Sequence, residues 1–424
     1  MTFRHTKLPN GLTLYTVPMP STETVTVLVL VRAGSKYETK KINGLSHFLE
    51  HMFFKGTTNR PTPLAVAETL DRVGGEYNAF TDKERTGFYA KVDVKHLELA
   101  IDWVSDMLIN PLLKEEEIEK EKGVISQEIS MYYDTPTSYI SDVFETLLYG
   151  DQPAGWDIAG TKEIISKFRK SDFIKYLAER YVARDTIVVV AGNINEIKTK
   201  KLISRYFSGL KPGRAPGKLK VREIQKNNGF KLFTKDTDQT HLELGVRAFD
   251  TYDKRRYALG ILATILGGNM SSRLFMSLRE EHGLAYYVAT NAHHYTDTGY
   301  LATHAGVPNK DVDRAVSVIM QEYDTIRKFR VKPDELKKAK DYIKGKSVIG
   351  LESSSALAGF VGDQAMLYGR AKTINEILKR IEAVTASEIQ SVAKMIFKEN
   401  RLNLAVIGPG GSESKLKKVL KFKS

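Results

Sequence analysis

Five consecutive residues, His47-Phe48-Leu49-Glu50-His51, place two imidazoles and a carboxylate where a helix would gather them. One helical turn separates His47 from His51, so both rings stand on one side and can reach a single ion, with Glu50 beside it. The helix itself is predicted by its apolar residues: Leu45, Phe48, Leu49, Met52 and Phe53 recur at helical period. Unpaired imidazoles among such neighbours would be costly, which favours ligation over an ordinary pair of histidines. A metal held by imidazoles and a carboxylate lowers the pKa of a bound water, and Glu50 could take its proton as that water attacks a carbonyl. Such a site needs three protein ligands and an open position, and no third His lies nearby. The acidic helix predicted over residues 115–133 offers carboxylates, with Glu121 and Glu128 on one face and Val124 and Ile125 between them. The chain has no Cys, which excludes thiolate ligands, disulfides and a cysteine nucleophile.

The elements that must position these residues read as a pattern that occurs twice. Residues 13–17 and 24–31 are rich in β-branched side chains and predict strands, and a polar connection over 34–43 leads into the motif helix. Pro61-Thr62-Pro63 opens a second helix over 64–73, which Gly74-Gly75 ends. Residues 76–81 and 85–94 flank a turn at 82–84 as an antiparallel hairpin. After a mostly helical stretch, the strand 186–191 and Gly192 close the first half, and the Pro, Gly and Lys density of 211–220 marks a linker. The pattern then returns as a strand over 242–246, a helix over 257–266, a helix over 273–279 and a strand pair within 287–306. Residues 403–408 mirror 187–192 at an offset of 216 positions, and a polar helix follows each glycine. This long-period echo predicts an α+β protein of two homologous domains, residues 1–210 and 229–424, joined by a linker over 211–228. Each is expected to be a mostly antiparallel sheet packed with helices. The duplicate of the motif helix carries Ala258, Leu259, Ile261, Leu262 and Ile265 and no His or Glu, so only the first half can hold metal.

The arrangement resembles the pitrilysin/insulinase family of zinc metallopeptidases, and in particular its shorter, processing-peptidase-like two-domain members. In that family His-x-x-Glu-His is followed at long range by a ligand Glu, and Glu128 lies 77 positions after His51, at the family's spacing. Gly44-Leu45-Ser46, Phe54-Lys55-Gly56-Thr57 and Asn78-Ala79-Phe80-Thr81 match the flanks, and Leu278-Arg279-Glu280-Glu281-His282-Gly283-Leu284-Ala285-Tyr286 matches the C-terminal signature. The resemblance implies that His47, His51 and Glu128 bind one Zn²⁺ per chain, that Glu50 is the general base and that Glu121 supports the site. It implies that Arg279 and Tyr286 complete the active site from the second domain, with the two domains facing each other across a peptide chamber. The strand holding Asn78, Ala79 and Phe80 could receive an extended peptide as an added strand, since Ala79 is small enough to let a backbone approach. The implied activity is zinc-dependent endopeptidase action on peptides or unfolded protein segments. The alternative is a non-catalytic or partner-dependent subunit of a processing-peptidase-like complex. Members of this length are often dimers, so a homodimer or a heterodimer with a related subunit is expected.

Composition narrows the remaining classes. The 424 residues, 42% hydrophobic and 27% charged, describe a folded chain rather than a disordered one. A net charge of +13 raises a nucleic-acid partner, but no recognition-helix, Gly-rich or aromatic RNA-binding signature accompanies it, so none is expected. No run approaches the roughly 18 apolar residues of a membrane span, and the first residues lack the apolar core of a secretory signal. A cytoplasmic protein without membrane contact is the expectation. The Lys-rich tail over 415–423 reads as a final helix with a wet face rather than a membrane anchor. His293 and His294 alternate on a strand and cannot readily share an ion, and His5, His96, His241, His282 and His304 have no ligand-like company.

Overall fold

The runs TVTVLVLV and TIVVVAG are apolar at nearly every position, which is how strands covered on both faces read. In the computed structural model, which describes residues 2–409 and 413–422, they lie at the centre of a six-stranded sheet. Its strands are β1 (Arg4–Lys7), β2 (Thr13–Pro18), β3 (Thr24–Val31), β4 (Glu76–Thr81), β5 (Thr86–Asp93) and β6 (Thr186–Gly192), in the order β1-β2-β6-β3-β5-β4. Only the β2–β6 pair is parallel. Tyr15, Leu28, Leu30 and Val189 pack against Leu357, Ala358 and Val361 of the helix Ser354–Tyr368. Their neighbours Val27, Val29 and Val190 point to the other face and are equally buried.

Seven α-helices run between β3 and β6, the first five being α1 (Leu45–Phe53), α2 (Pro63–Asp71), α3 (Leu97–Ile109), α4 (Glu115–Asp134) and α5 (Pro136–Tyr149). Thr62 caps α2 by accepting the Ala65 N–H, with Pro63 at the first helical position, as the sequence predicts. Buried Trp103 of α3 donates its indole N–H to the Val66 carbonyl at 2.8 Å, tying α3 to α2.

A second sheet repeats the first. Strands β7 (Gly229–Thr234), β8 (Gln239–Arg247), β9 (Tyr287–His294), β10 (Gly299–Pro308) and β11 (Leu402–Gly408) are ordered β7-β11-β8-β10-β9, and again a single pair, β7–β11, is parallel. Taking β7, β11, β8, β10 and β9 for β2, β6, β3, β5 and β4 reproduces both the order and the sense of every pairing. One face packs Leu242, Leu244 and Val246 against the helices Arg256–Gly267, Val312–Lys328 and Ala386–Ile396. The other packs Tyr300, Ala302, Ala405 and Ile407 against Ile140, Val143 and Phe144 of α5.

The chain divides into two compact units that do not coincide with the contiguous halves read from sequence. The first comprises residues up to Ser130, Trp156–Leu219 and Val348–Ile374; the second comprises Met131–Gly155, Lys220–Ser347 and the chain from Asn375 onward. The difference is a reciprocal exchange of helices. α5 covers β7, β8 and β11, whereas Ser354–Tyr368 covers the matching strands β2, β3 and β6. An amphipathic pattern demands that a helix bury one face but does not say on which sheet.

Residues 211–228 contain no helix or strand, in keeping with a linker, yet they are pinned. Lys211 and Gly213 accept the backbone N–H groups of Ala183 and Arg184, and Asp185 accepts that of Ala215 at 2.7 Å. Beyond the linker, the helix expected over 273–279 winds as a π-helix over Phe275–Glu281, a form that recurs at functional sites. The tail forms the helix Glu413–Val419; Lys423 lies outside the described residues.

Candidate metal centre

α1 presents Leu45, Phe48, Leu49, Met52 and Phe53 to the core, which leaves His47, Glu50 and His51 on the remaining face. α4 buries Ile118, Ile125 and Ile129, and this rotation turns Glu121 and Glu128 towards α1. His47 Nε2 lies 3.6 Å from Glu128 Oε1, and His51 Nε2 lies 3.4 Å from Glu128 Oε2. One ligand atom from each of His47, His51 and Glu128 falls within 4.8 Å of the others. A tetrahedral ion with bonds of about 2.0–2.1 Å sets its ligand atoms about 3.3 Å apart, close to the spacing of each imidazole from its nearer Glu128 oxygen, so a Zn²⁺ ion would need only to draw the three side chains together. The donor set agrees: two imidazoles and one carboxylate leave a fourth position open, as in hydrolytic zinc sites.

Around these three stand groups that orient them. His51 Nδ1 meets Glu121 Oε2 at 3.1 Å, which frees Nε2 to face Glu128. This carboxylate-to-histidine contact is the usual support of a metal-ligating imidazole. Lys55, one turn beyond His51, places its Nζ 2.5 Å from Glu121 Oε1. Thr81 of β4 donates its hydroxyl to Glu50 Oε2 at 2.6 Å. In the sequence Lys55 and Thr81 both stand only within matching flanks, with no role assigned to either. Lys55 was accessible from its i+4 spacing to His51, whereas Thr81 meets Glu50 only through the fold of the hairpin.

The electrostatics favour positive charge between α1 and α4. Burial alone would push the His51 imidazole down, but hydrogen bonds to Glu121 and Glu128 outweigh it and raise the pKa to about 9. Glu128 is held far below the usual carboxylate range by His47 and His51. Glu121, although burial opposes it, is lowered by His51 and Lys55. A field that grips a proton this firmly also suits a divalent cation, which competes for the same lone pairs. Glu50 differs, because burial pushes its carboxyl up and the Thr81 hydroxyl only partly offsets this.

The other sequence-predicted residues lie elsewhere. Asn78, Ala79 and Phe80 are on β4, one of the two edge strands of the first sheet; Asn78 and Phe80 are exposed and Ala79 is buried. Asn78 Oδ1 accepts the Ala79 N–H at 2.9 Å. Arg279 and Tyr286 both belong to the second unit. Arg279, on the π-helix, donates Nη1–H to the Tyr286 carbonyl at 2.8 Å, and the exposed Tyr286 ring leads into β9. His293 stacks on Tyr300 with ring centroids 4.5 Å apart, while His294 Nδ1 contacts the Phe249 carbonyl, so each has its own partner. Among the described residues, His47, His51 and Glu128 form the one group of His, Asp and Glu side chains close enough to hold a metal ion.

Comparison with known proteins places this geometry in a family. Residues 14–162 match the insulinase (peptidase family M16) model, and residues 167–343 match the model of the peptidase M16 inactive domain. An uncharacterized zinc protease of Bacillus subtilis is 35% identical over 404 residues, covering 95% of this chain and 97% of that protein. A second, from Streptomyces coelicolor, is 34% identical over 414 residues, covering 96% of this chain and 90% of its own length. Among solved structures, a protease from Helicobacter pylori superposes with a TM-score of 0.91 at 25% identity, over 96% of this chain and 99% of that one. A peptidase M16 inactive domain from Pseudomonas fluorescens does so with a TM-score of 0.88 at 17% identity, over 97% and 99%, which speaks to the fold alone. With both family models matched in order along one chain, this protein belongs to the insulinase family, peptidase family M16.

Proposed function

We propose that this chain is a zinc-dependent endopeptidase that hydrolyses peptides or unfolded protein segments, with one Zn²⁺ per chain. The observation that carries the reading is the convergence of His47, His51 and Glu128 with Glu50 beside them and Glu121 behind His51. The zinc-protease names of the relatives point the same way. When bound, the ion supplies a Lewis acid and makes a water acidic near neutral pH. Glu50 then accepts the proton of the attacking water and passes it to the leaving amine. Burial prepares it for this, since a carboxylate pushed up from its ordinary range is a better base. Thr81 fixes the orientation by holding Oε2, which leaves Oε1 for the proton. Arg279 and Tyr286 are the proposed donors to the developing oxyanion, and β4 is the proposed seat of the peptide backbone.

The test is cleavage of a quenched fluorescent peptide library with and without a chelator, with Glu50→Gln alongside. The reading expects chelator-sensitive cleavage, and a variant that keeps its zinc but loses nearly all turnover. A Glu50→Gln protein as fast as wild type overturns it. Unchanged turnover in both Tyr286→Phe and Arg279→Ala removes those two from the mechanism. A second reading, a partner-dependent subunit, draws on the match of residues 167–343 to an inactive-domain model. Bound zinc without cleavage, followed by cleavage when a related subunit is added, selects it. Pairing with a second chain and a cytoplasmic location are proposed as well, to be checked by sedimentation and by cell fractionation. Among the described residues no helix is long and apolar enough to cross a membrane.

A further inference from the structure

α1 is only nine residues long and carries two of the three proposed ligands, so its first turn must not fray. Nothing within the helix secures it: the N-cap is Gly44, which has no side chain to accept the free N–H groups. Glu38, from the polar connection before the helix, meets one of those groups and the N–H of the N-cap itself. Its Oε2 accepts the Gly44 N–H at 2.8 Å and the Asn43 side-chain amide at 3.2 Å, and its Oε1 accepts the Ser46 N–H at 2.6 Å. Glu38 is 2% exposed, so these bonds replace water entirely. A carboxylate at this end also complements the helix dipole.

Glu38 is in turn held by its neighbours. Lys36, buried beside it, donates to Glu84 Oε1 at 2.9 Å, and the Lys36 N–H donates to the Lys83 carbonyl at 2.8 Å. Arg180 donates to the Tyr37 carbonyl at 3.0 Å. Lys83 and Glu84 belong to the turn between β4 and β5, and β4 supplies the Thr81 that orients Glu50. One hairpin therefore anchors both the start of α1 and its general base. On the opposite side, Gly44 has φ +97°, and a Cβ there would come within 2.5 Å of the Ala159 carbonyl oxygen, so the helix entry admits no side chain. Ser46 Oγ and the buried Tyr176 hydroxyl are 2.6 Å apart, which fixes the residue immediately before His47.

We propose that Glu38 is a positioning residue for the metal centre: it locks the first turn of α1 and thereby sets where His47 points. The proposal rests on the zinc reading above and deepens it. Burial pushes the Glu38 carboxyl up despite its three donors. The fold thus carries a costly buried acid at a place where a Ser or Asp N-cap would ordinarily do. A Gln at this position would turn its amide N–H₂ on a backbone N–H and lose at least one bond.

The experiment is a competition titration of Zn²⁺ into the metal-free full chain, for wild type, Glu38→Gln and a control. The control is Leu262→Ala in the second unit, where buried Leu262 packs far from α1 in the chain order. Glu38→Gln is expected to bind Zn²⁺ about 10–100-fold more weakly, the range seen when a group that orients a ligand is lost. The control is expected to melt lower while its zinc affinity stays put. The Co²⁺-loaded variant should show shifted and weakened visible absorption, reporting altered ligand geometry. Should Glu38→Gln fail to fold, Glu38→Asp, which keeps the charge but shortens the reach by one methylene, is measured in its place with the same expectations. Folded Glu38 variants that bind Zn²⁺ within twofold of wild type, with an unchanged Co²⁺ spectrum, overturn the proposal. A wild-type chain that binds no zinc overturns the functional reading instead.

Discussion

α1 and the helix Arg256–Gly267 hold the same place in the chain order of two matching sheets, yet they are built for opposite ends. In the second unit Ala258, Leu259, Ile261, Leu262, Ala263, Ile265 and Leu266 are all buried, so the helix is apolar nearly all round and does nothing but pack. In the first, the face left over from packing carries His47, Glu50 and His51. Duplication supplied two scaffolds, and the ligand set is on one. The comparison separates what the fold requires, an apolar helix on the sheet, from what the chemistry adds to it.

Substitutions that break this contrast should therefore divide cleanly. His51→Ala removes a ligand and the partner of Glu121, and should abolish stoichiometric zinc and lower peptide turnover on the order of a thousandfold or more. Leu262→Ala should keep its zinc and lose about 2–5 kcal/mol of stability, the usual cost of a core leucine. Metal analysis and denaturant unfolding of both proteins check the pair. Equal zinc loss in the two would mean that the halves are not separable in this way.

Much of this contrast was legible in the sequence. The helical spacing of His47 and His51 and the 216-position echo between Gly192 and Gly408 are local patterns with few competing explanations. The strand 24–31 is legible to the residue, because a run of eight β-branched and leucine residues can pack hardly any other way. The exchange of α5 with Ser354–Tyr368 was not legible, since both sheets offer equivalent apolar faces. Glu38 was hidden for another reason. A lone acid in a polar connection reads as solvated until the chain folds back and buries it against a helix end. The π-helix under Arg279 gave no signal, because its residues suit an α-helix equally well.

The exchanged helices offer a second comparison, with a smaller effect. Beneath α5 the second sheet buries Glu243, whose Oε2 accepts the Ser141 hydroxyl at 2.8 Å, and the neighbouring Glu145 accepts the Tyr295 and Tyr300 hydroxyls. On β3, which β8 duplicates, Leu28 lies against the strand that β11 duplicates, as Glu243 does against β11. Burial, with Glu145 and Asp142 adding to it and Ser141 opposing, pushes Glu243 up to about 7. The folded state then binds more protons than the unfolded chain between pH 4.5, the ordinary value, and about 7. Stability contributed by this group must fall as pH rises through that window. Glu243→Gln keeps an acceptor for Ser141 and removes the charge. It should stabilise the protein at pH 8 by something on the order of 3 kcal/mol and change little at pH 4. Unfolding curves at the two pH values decide it, and equal shifts at both would show that Glu243 does not titrate in the folded protein.

The seam under Ser354–Tyr368 should show the converse. At the start of this helix the polar contacts are neutral hydroxyls: Thr26 Oγ1 lies 2.9 Å from Ser354 Oγ and 3.3 Å from Ser355 Oγ, and Thr24 Oγ1 lies 3.2 Å from Ser354; the charged contacts, Arg85 with Asp363 and Arg32 with the Met366 carbonyl, lie further along it. Ser354 is not the cap of its helix, a task left to Ser353, which accepts the Ala356 N–H at 3.1 Å. Ser354→Ala therefore removes the seam contact without unwinding the helix. Thr26 retains Ser355 as a partner, so the buried hydroxyl is not stranded, and the loss should be near 1 kcal/mol, that of one neutral hydrogen bond. No group in this contact titrates between pH 4 and 8, so the loss should be the same at both ends of that range, whereas the gain from Glu243→Gln should appear only at the upper end. A pH-dependent loss would mean that the Arg85–Asp363 pair further along the helix is coupled to this hydroxyl contact.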